Sequence, residues 1–311
     1  MPRFARAEMS PPGEMQRAVA PATARTRVAP MLSTPRLSPA QEDVVRRWFP
    51  AVEVMADLSW GLTDTVVLHV RYAKGESIIK AGGPGNHHIG REIAAHEQWT
   101  TPWREAGRCA RLLHVDRYQN ILATSYLPGT LVKDHPAADD ADTYRQAGEL
   151  LASFHAQQCK VSEDYESRMD AHSIAWLDSD HRIDAVTETR LRDAIARHHH
   201  EPVELVPTHG DWQPRNWLIH EDRVSVIDLG RADWRPALTD LARLARQAWQ
   251  GRPDLEEAFL SGYGSDPREP AAWQRTLLRE AIGTAVWAYR VGDEPFEVQG
   301  HQMITQALEI G

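Results

Sequence analysis

The stretch Thr208-His209-Gly210-Asp211-Trp212-Gln213-Pro214-Arg215-Asn216 constrains this chain more than any other feature. It has the form H-G-D-x-x-x-x-N, and a second acid follows in Val226-Ile227-Asp228-Leu229-Gly230. Between them, Trp217-Leu218-Ile219 and Val224-Ser225-Val226-Ile227 read as two apolar arms around the turn His220-Glu221-Asp222-Arg223. A hairpin here brings Asn216 and Asp228 to one end, where an amide oxygen and a carboxylate can share a cation. The fold must therefore present this hairpin end to a cleft.

The chain has 311 residues, enough for one large or two modest domains with a real core. Its formal charge of −9 disfavours a nucleic-acid backbone as partner and mildly favours a cationic one. No apolar run approaches the roughly 18 residues of a membrane helix. Cys109 and Cys159 show neither metal spacing nor a disulfide framework, which fits a reducing, cytoplasmic compartment. Only Lys74, Lys80, Lys133 and Lys160 are lysines, so a well-placed lysine carries information. Residues 1–37 hold six prolines and little apolar periodicity, and they read as a disordered tail, with Met31 as an alternative start. They lack the apolar core of a secretory signal.

Ser38-Pro39-Ala40-Gln41 reads as a capping box with proline at the first helical position. Residues 51–81 alternate as an antiparallel meander, followed by a Gly82–Gly90 insert, a helix over 89–99, and a strand pair at 111–115 and 121–127. Pro128-Gly129 marks the expected boundary between a sheet-rich lobe (38–127) and a helix-rich lobe (128–311). Helical patterns cover 142–157, 168–200, 237–250, 253–262 and 269–310. The layout predicts an α+β fold of two lobes with a cleft between them.

An acid, an amide five residues on and a second acid closing a strand form the layout of kinase-type phosphoryl transfer. Such chemistry needs an oriented nucleophile and neutralised phosphate charge. Asp211 is placed to orient or deprotonate a hydroxyl, and Asn216 and Asp228 offer oxygen ligands to Mg²⁺. Lys80 ends the third strand after Ile78-Ile79 and is the candidate clamp for ATP phosphates, with Glu92 or Glu97 on the next helix as partner. Ser59, Gly61 and Thr63 lie in the loop between the first two strands, where N–H groups and hydroxyls can meet phosphate. His87-His88 and His198-His199-His200 suggest no metal site, and the latter reads as a solvated helix end.

The chain resembles the aminoglycoside phosphotransferase family of small-molecule kinases, relatives of choline and homoserine kinases, over about 41–311. Thr208 through Gly230 and Pro236-Ala237-Leu238-Thr239-Asp240-Leu241-Ala242 carry the resemblance most strongly. In that family glycine replaces the arginine of the protein-kinase H-R-D motif, as at Gly210. The resemblance implies a protein-kinase-like fold and a Mg²⁺-dependent transfer from ATP, with GTP as the alternative donor. It favours Glu92 as the partner of Lys80. It makes Asp240, with His209, a brace of the catalytic loop. Gly148-Glu149-Leu150-Leu151-Ala152-Ser153-Phe154-His155 matches the family's G-x-x-L-A-x-x-H helix, which makes His155 a support for the loop. The segment from Ser125 through Leu127 resembles the interlobe link, where backbone groups meet adenine. The phosphate loop departs from the glycine triplet of protein kinases. Only ten residues separate Gly230 from Leu241, too few for a protein kinase's activation segment.

The acceptor is expected to be a small hydroxylated molecule, an aminoglycoside or similar antibiotic first. A metabolite kinase of the choline or homoserine type, or an inactive nucleotide-binding relative, are the alternatives. Asp233, Asp254, Glu256, Glu257, Asp293, Glu294 and Glu297, with Trp234, Trp249, Trp273 and Trp287, suit a cationic acceptor.

Overall fold

The computed structural model describes residues 37–60 and 64–309. Helix α1 (Pro39–Trp48) starts at the expected cap: Ser38 Oγ accepts from Gln41 N (3.2 Å), and Gln41 Oε1 accepts from Ser38 N (3.0 Å). Gln41 Nε2 also donates to Gly82 O (3.0 Å) and Gln119 O (2.9 Å), which ties the helix start to two turns of the sheet. Leu37, the last residue of the expected tail, is buried in the core beneath α1.

Strands β1 (Glu53–Asp57), β2 (Val66–Tyr72), β3 (Gly75–Ala81), β4 (Leu112–Asp116) and β5 (Ile121–Ser125) form one antiparallel sheet in the order β1-β2-β3-β5-β4. Helices α2 (His87–Gln98) and α3 (Thr101–Glu105) lie between β3 and β4 in sequence. Leu68, Val70, Ile79 and Ala123 pack with Val44 and Val45 of α1 and with Phe49, which caps its C-terminus. Leu122 packs instead with Ile89 and Ile93 of α2. Lys80 stands opposite Leu122 across β3–β5, so strand alternation turns it to the α2 side.

The remaining chain is mainly helical, as an α+β bilobal fold requires. Its helices are α4 (Ala141–His155), α5 (Tyr165–Leu177), α6 (Ala185–Ala196), α7 (Ala242–Arg246), α8 (Pro253–Tyr263), α9 (Pro270–Val291) and α10 (Glu294–Glu309). Short strands β6 (Thr130–Leu131), β7 (Lys160–Ser162), β8 (Val203–Thr208), β9 (Trp217–His220), β10 (Arg223–Val226) and β11 (Asp233–Arg235) form two three-stranded sheets, β10-β9-β6 and β11-β8-β7. Helix α4 packs against α8 at backbone distance: a Cβ on Gly148 would lie 2.1 Å from Phe259 O. Trp103 of α3 shares one buried cluster with Phe154, Trp212, Trp217 and Leu241, so residue 212 of the motif roots the catalytic loop in the core.

Three sequence expectations need correction. The single helical pattern over 168–200 is two helices, because Asp184 caps a new start by accepting from Val186 N and Thr187 N. The pattern over 269–310 breaks at Gly292, which adopts φ +73°. Of the expected solvated end His198–His200, His199 and His200 are exposed but His198 is half-buried. His198 Nδ1 (3.0 Å) and His200 Nε2 (2.8 Å) both bond Asp170, which also takes Arg279 Nη2 at 2.6 Å.

Candidate active site

The loop after β8 is held by one carboxylate. Asp240 Oδ2 accepts from His209 N (2.7 Å) and Oδ1 from Gly210 N (2.6 Å). Burial pushes the Asp240 carboxyl up, yet the hydrogen bond and charge of His155 outweigh it and leave it below the usual range. His155 Nε2 stands 3.1 Å from Asp240 Oδ2, and its Nδ1 lies 2.8 Å from the Tyr263 hydroxyl. His209 bridges the two halves of the motif. Its Nδ1 accepts from Asp211 N (3.3 Å), so Nε2 carries the proton and donates to Ile227 O (3.1 Å). Gly210 sits at φ +77°, and a Cβ there would meet Arg231 O at 2.3 Å.

The hairpin delivers the expected pairing. Strand register sets Val226 opposite Trp217, and Ile227 N donates to Asn216 O (3.0 Å). Asp228 follows with φ +66°, a left-handed conformation rare outside glycine. Asn216 Nδ2 donates to Asp211 O (2.8 Å) and Asp211 Oδ2 (3.0 Å). Its Oδ1 makes no hydrogen bond among the described residues.

Lys80 reaches across from the sheet. Its Nζ lies 2.8 Å from Glu92 Oε1 and 3.0 Å from Asp228 Oδ1. Burial pulls the Lys80 ammonium down, but the Asp228 and Glu92 charges outweigh it and hold it above its usual value. Lys80 is the largest influence on Asp228 and holds that carboxyl low. Burial dominates at Glu92 and raises it. Glu97, the alternative partner, pairs with Arg117 at 2.6 Å.

The other expected nucleotide contacts fare unequally. Gly61 and Thr63 lie outside the described residues. Ser59 Oγ accepts from Val67 N (2.9 Å), so it serves the sheet edge. Ser125 N donates to Arg111 O (2.8 Å) and its Oγ accepts from Arg111 N (2.9 Å), which commits both groups to the residue just before β4. The Leu127 N–H and C=O have no backbone partner among the described residues. His88, in the first turn of α2, lies 2.8 Å through Nδ1 from Gly230 O and so links that helix to the D-L-G turn.

Asp211 is buried and surrounded by donors. Oδ1 accepts from Gln213 Nε2 and Arg243 Nη1 (2.6 Å), and Oδ2 accepts from Arg215 Nη2 (2.8 Å) and Asn216 Nδ2 (3.0 Å). A carboxylate offers about four lone-pair positions, and all four are taken. Burial pushes this carboxyl up, but Arg243, Arg215 and Arg231 outweigh it and hold it far below the usual range. Gln213, Arg215, Arg231 and Arg243 were not legible as site residues. Arg215 lies inside the motif and Arg231 directly follows Gly230, but arginine is too common in this chain for position alone to single them out.

The expected acidic and aromatic acceptor set is largely engaged internally. Asp254 pairs with Arg252 (2.7 Å), Glu256 with Arg268 (2.7 Å), Glu297 with Arg182 (3.3 Å), and Asp233 with Arg91 (3.8 Å). The Arg268 guanidinium lies 5.6 Å from the Trp249 ring and 5.4 Å from the Trp273 ring. Lys160 stands 4.4 Å over Trp234.

Residues 91–274, more than half of the chain, match the model of the phosphotransferase enzyme family (APH). The chain belongs to that family. This phosphotransferase is similar in fold to the choline kinase LicA from Streptococcus pneumoniae, with TM-score 0.65 and 16% identity over 87% of this chain and 99% of that one. It is similar to a thermostable mutant of the aminoglycoside phosphotransferase APH(4)-Ia in a ternary complex with ADP and hygromycin B, with TM-score 0.65 and 12% identity over 86% and 98% of the two chains. A choline/ethanolamine kinase family protein from Mesorhizobium loti gives TM-score 0.57 and 19% identity over 83% and 87%. No curated protein sequence matches the chain. The phosphotransferase thus has a kinase-like α+β fold, and it is a small-molecule phosphotransferase. No helix among its described residues is long and apolar enough to cross a membrane.

Proposed function

We propose that the chain transfers the γ-phosphoryl group of ATP, with Mg²⁺, to a hydroxyl of a small molecule bound between the lobes, which divide near 127/128. The observation that carries this reading is the Lys80–Asp228 contact at 3.0 Å, which joins the sheet to the D-L-G turn across 148 residues of chain. Lys80, aligned by Glu92, binds the α/β-phosphates. The Leu127 backbone receives the adenine edge.

Asp228 and Asn216 fit a hard cation. The Asn216 amide nitrogen is spent on Asp211, which leaves its carbonyl oxygen without a hydrogen bond among the described residues, and the Asp228 carboxylate is half-exposed. Bound there, Mg²⁺ would neutralise phosphate charge. Asp211 holds the acceptor hydroxyl in line. With its carboxyl so low, it acts more as an orienting acceptor of the hydroxyl proton than as a strong base. Asp240, His209 and His155 keep the loop in shape.

A screen of ADP release with MgATP tests the reading. The panel includes aminoglycosides and amino alcohols, since the structural neighbours include an enzyme bound to hygromycin B and choline kinases. It also includes neutral and anionic hydroxy compounds. At least one class should raise ADP release above the rate with water alone, and no stimulation by any class counts against the proposal.

A further inference from the structure

Three arginines, Arg243, Arg215 and Arg231, act on Asp211, and a fourth, Arg246, follows Arg243 on α7. Arg243 pairs with Asp211 (2.6 Å) and Glu280 (3.1 Å), and Arg215 pairs with Asp211 (2.8 Å). The Arg231 guanidinium, close enough to be influenced by Asp211, Arg215 and Arg243, has no hydrogen bond or ion pair among the described residues. Burial and then the Arg243 charge push it down from its usual range. Arg246, one helical turn beyond Arg243, is 91% buried, and its Nε and Nη2 have no partner. Its Nη1 alone is used, on Gln306.

Arg243, Arg246, Glu280, Thr284 and Gln299 line one small cavity of about 10 Å³ between α7 and the last two helices. That is room for about one oxygen-sized group. Buried cations of this kind are found paired, because an uncompensated charge is costly to desolvate. Arg246 in particular lacks such a partner among the described residues.

We propose that the phosphate acceptor is an anionic hydroxy compound whose carboxylate or phosphate is bound by Arg231, Arg243 and Arg246. This rests on the phosphotransferase reading above and names its substrate class. The saturated state of Asp211 supports it independently. No lone pair on that carboxylate is free for a hydroxyl until a guanidinium leaves. An anionic group supplies the departing Arg215 or Arg243 with a replacement partner. A cationic acceptor would bring neither Arg231 nor Arg246 the partner it lacks. Arg215 is the most exposed of the pair and the one free to swing.

The test uses the full chain with MgATP and matched acceptors: hydroxy acids against their amides, sugar monophosphates against the free sugars, and hygromycin B and choline as cations. The proposal expects one anionic series to exceed its neutral counterpart in kcat/KM by about 10-fold or more. Which series responds separates carboxylate from phosphate. Turnover of neutral or cationic acceptors with no gain from the anion overturns this inference and leaves the phosphotransferase reading standing. Turnover of none counts against that reading itself. For the responding acceptor, Arg246→Gln should raise KM about 10-fold or more with kcat within about twofold and KM for ATP unmoved. Arg246→Lys should recover part of the loss. Arg231→Gln is the parallel test if Arg246→Gln folds poorly, and an unchanged acceptor KM in a folded variant overturns the assignment.

Discussion

Arg243 Nη1 stands 2.6 Å from Asp211 Oδ1 while its Nε stands 3.1 Å from Glu280 Oε1, so one guanidinium links the catalytic loop to helix α9. The carboxylate at the centre of the motif is thereby fixed by a residue 32 positions away in sequence. Its charge state and its availability are both set by arginines.

The first prediction concerns that charge state. Arg215→Gln removes one positive neighbour from Asp211, so the Asp211 carboxyl should rise toward its ordinary 3.8. Carboxyl carbon NMR across an acid titration reads this directly. A carboxyl that does not move would mean Arg215 contributes nothing to its field.

Lys80 offers a separation of stability from function. Lys80→Met leaves Glu92 buried without its cation, and breaking a buried pair in this way costs about 3–5 kcal/mol. Denaturant unfolding should show that loss, and the ATP KM should rise. Adding Glu92→Gln should restore much of the stability and none of the nucleotide affinity. Recovery of both would show that the pair is only a structural tie.

Gly210 should tolerate nothing larger. Gly210→Ala forces a Cβ to within 2.3 Å of Arg231 O at φ +77°, and strain of this kind costs about 1–3 kcal/mol. Phosphoryl transfer should fall about 100-fold as the Asp211 geometry shifts. Gly283→Ala in α9 is the control, since a Cβ there meets nothing within 4 Å and should stabilise the helix by up to about 1 kcal/mol.

Asp170 predicts part of the acid response. Burial alone would raise its carboxyl, but His198, His200 and Arg279 outweigh it and bring it to about 2. A depressed folded value means that this contribution is complete above the ordinary 3.8 and is lost as pH falls toward 2. The stability gap between wild type and Asp170→Asn should therefore be largest above about pH 5 and should close below pH 4. A gap independent of pH in that range would contradict the assignment.

The sequence was most readable where a residue's role is set by its immediate neighbours. Ser38 and Gln41 cap α1 because both partners lie within one turn. The hairpin that joins Asn216 to Asp228 follows from two apolar arms and a polar turn. Lys80 was reachable because it ends the third strand after Ile78-Ile79, while the choice of Glu92 over Glu97 as its partner came from the family resemblance. What was hidden depends on distant packing. The arginines around Asp211 come from the motif itself, the turn after Asp228, and α7, and nothing local marks them in an arginine-rich chain. The acidic residues of the last helices pointed to a cationic ligand only while their internal arginine partners were unseen. Asp184 and Gly292, which divide the long helical patterns, are ordinary cap and break signals overridden in the reading by the apolar periodicity around them.

The most direct test of the account is Asp211→Asn, measured for MgATP binding by calorimetry and for ADP release over the acceptor panel. The account predicts MgATP affinity within about threefold of wild type and transfer reduced about 1,000-fold or more. An Asp211→Asn protein that phosphorylates an acceptor at near wild-type rate would contradict it.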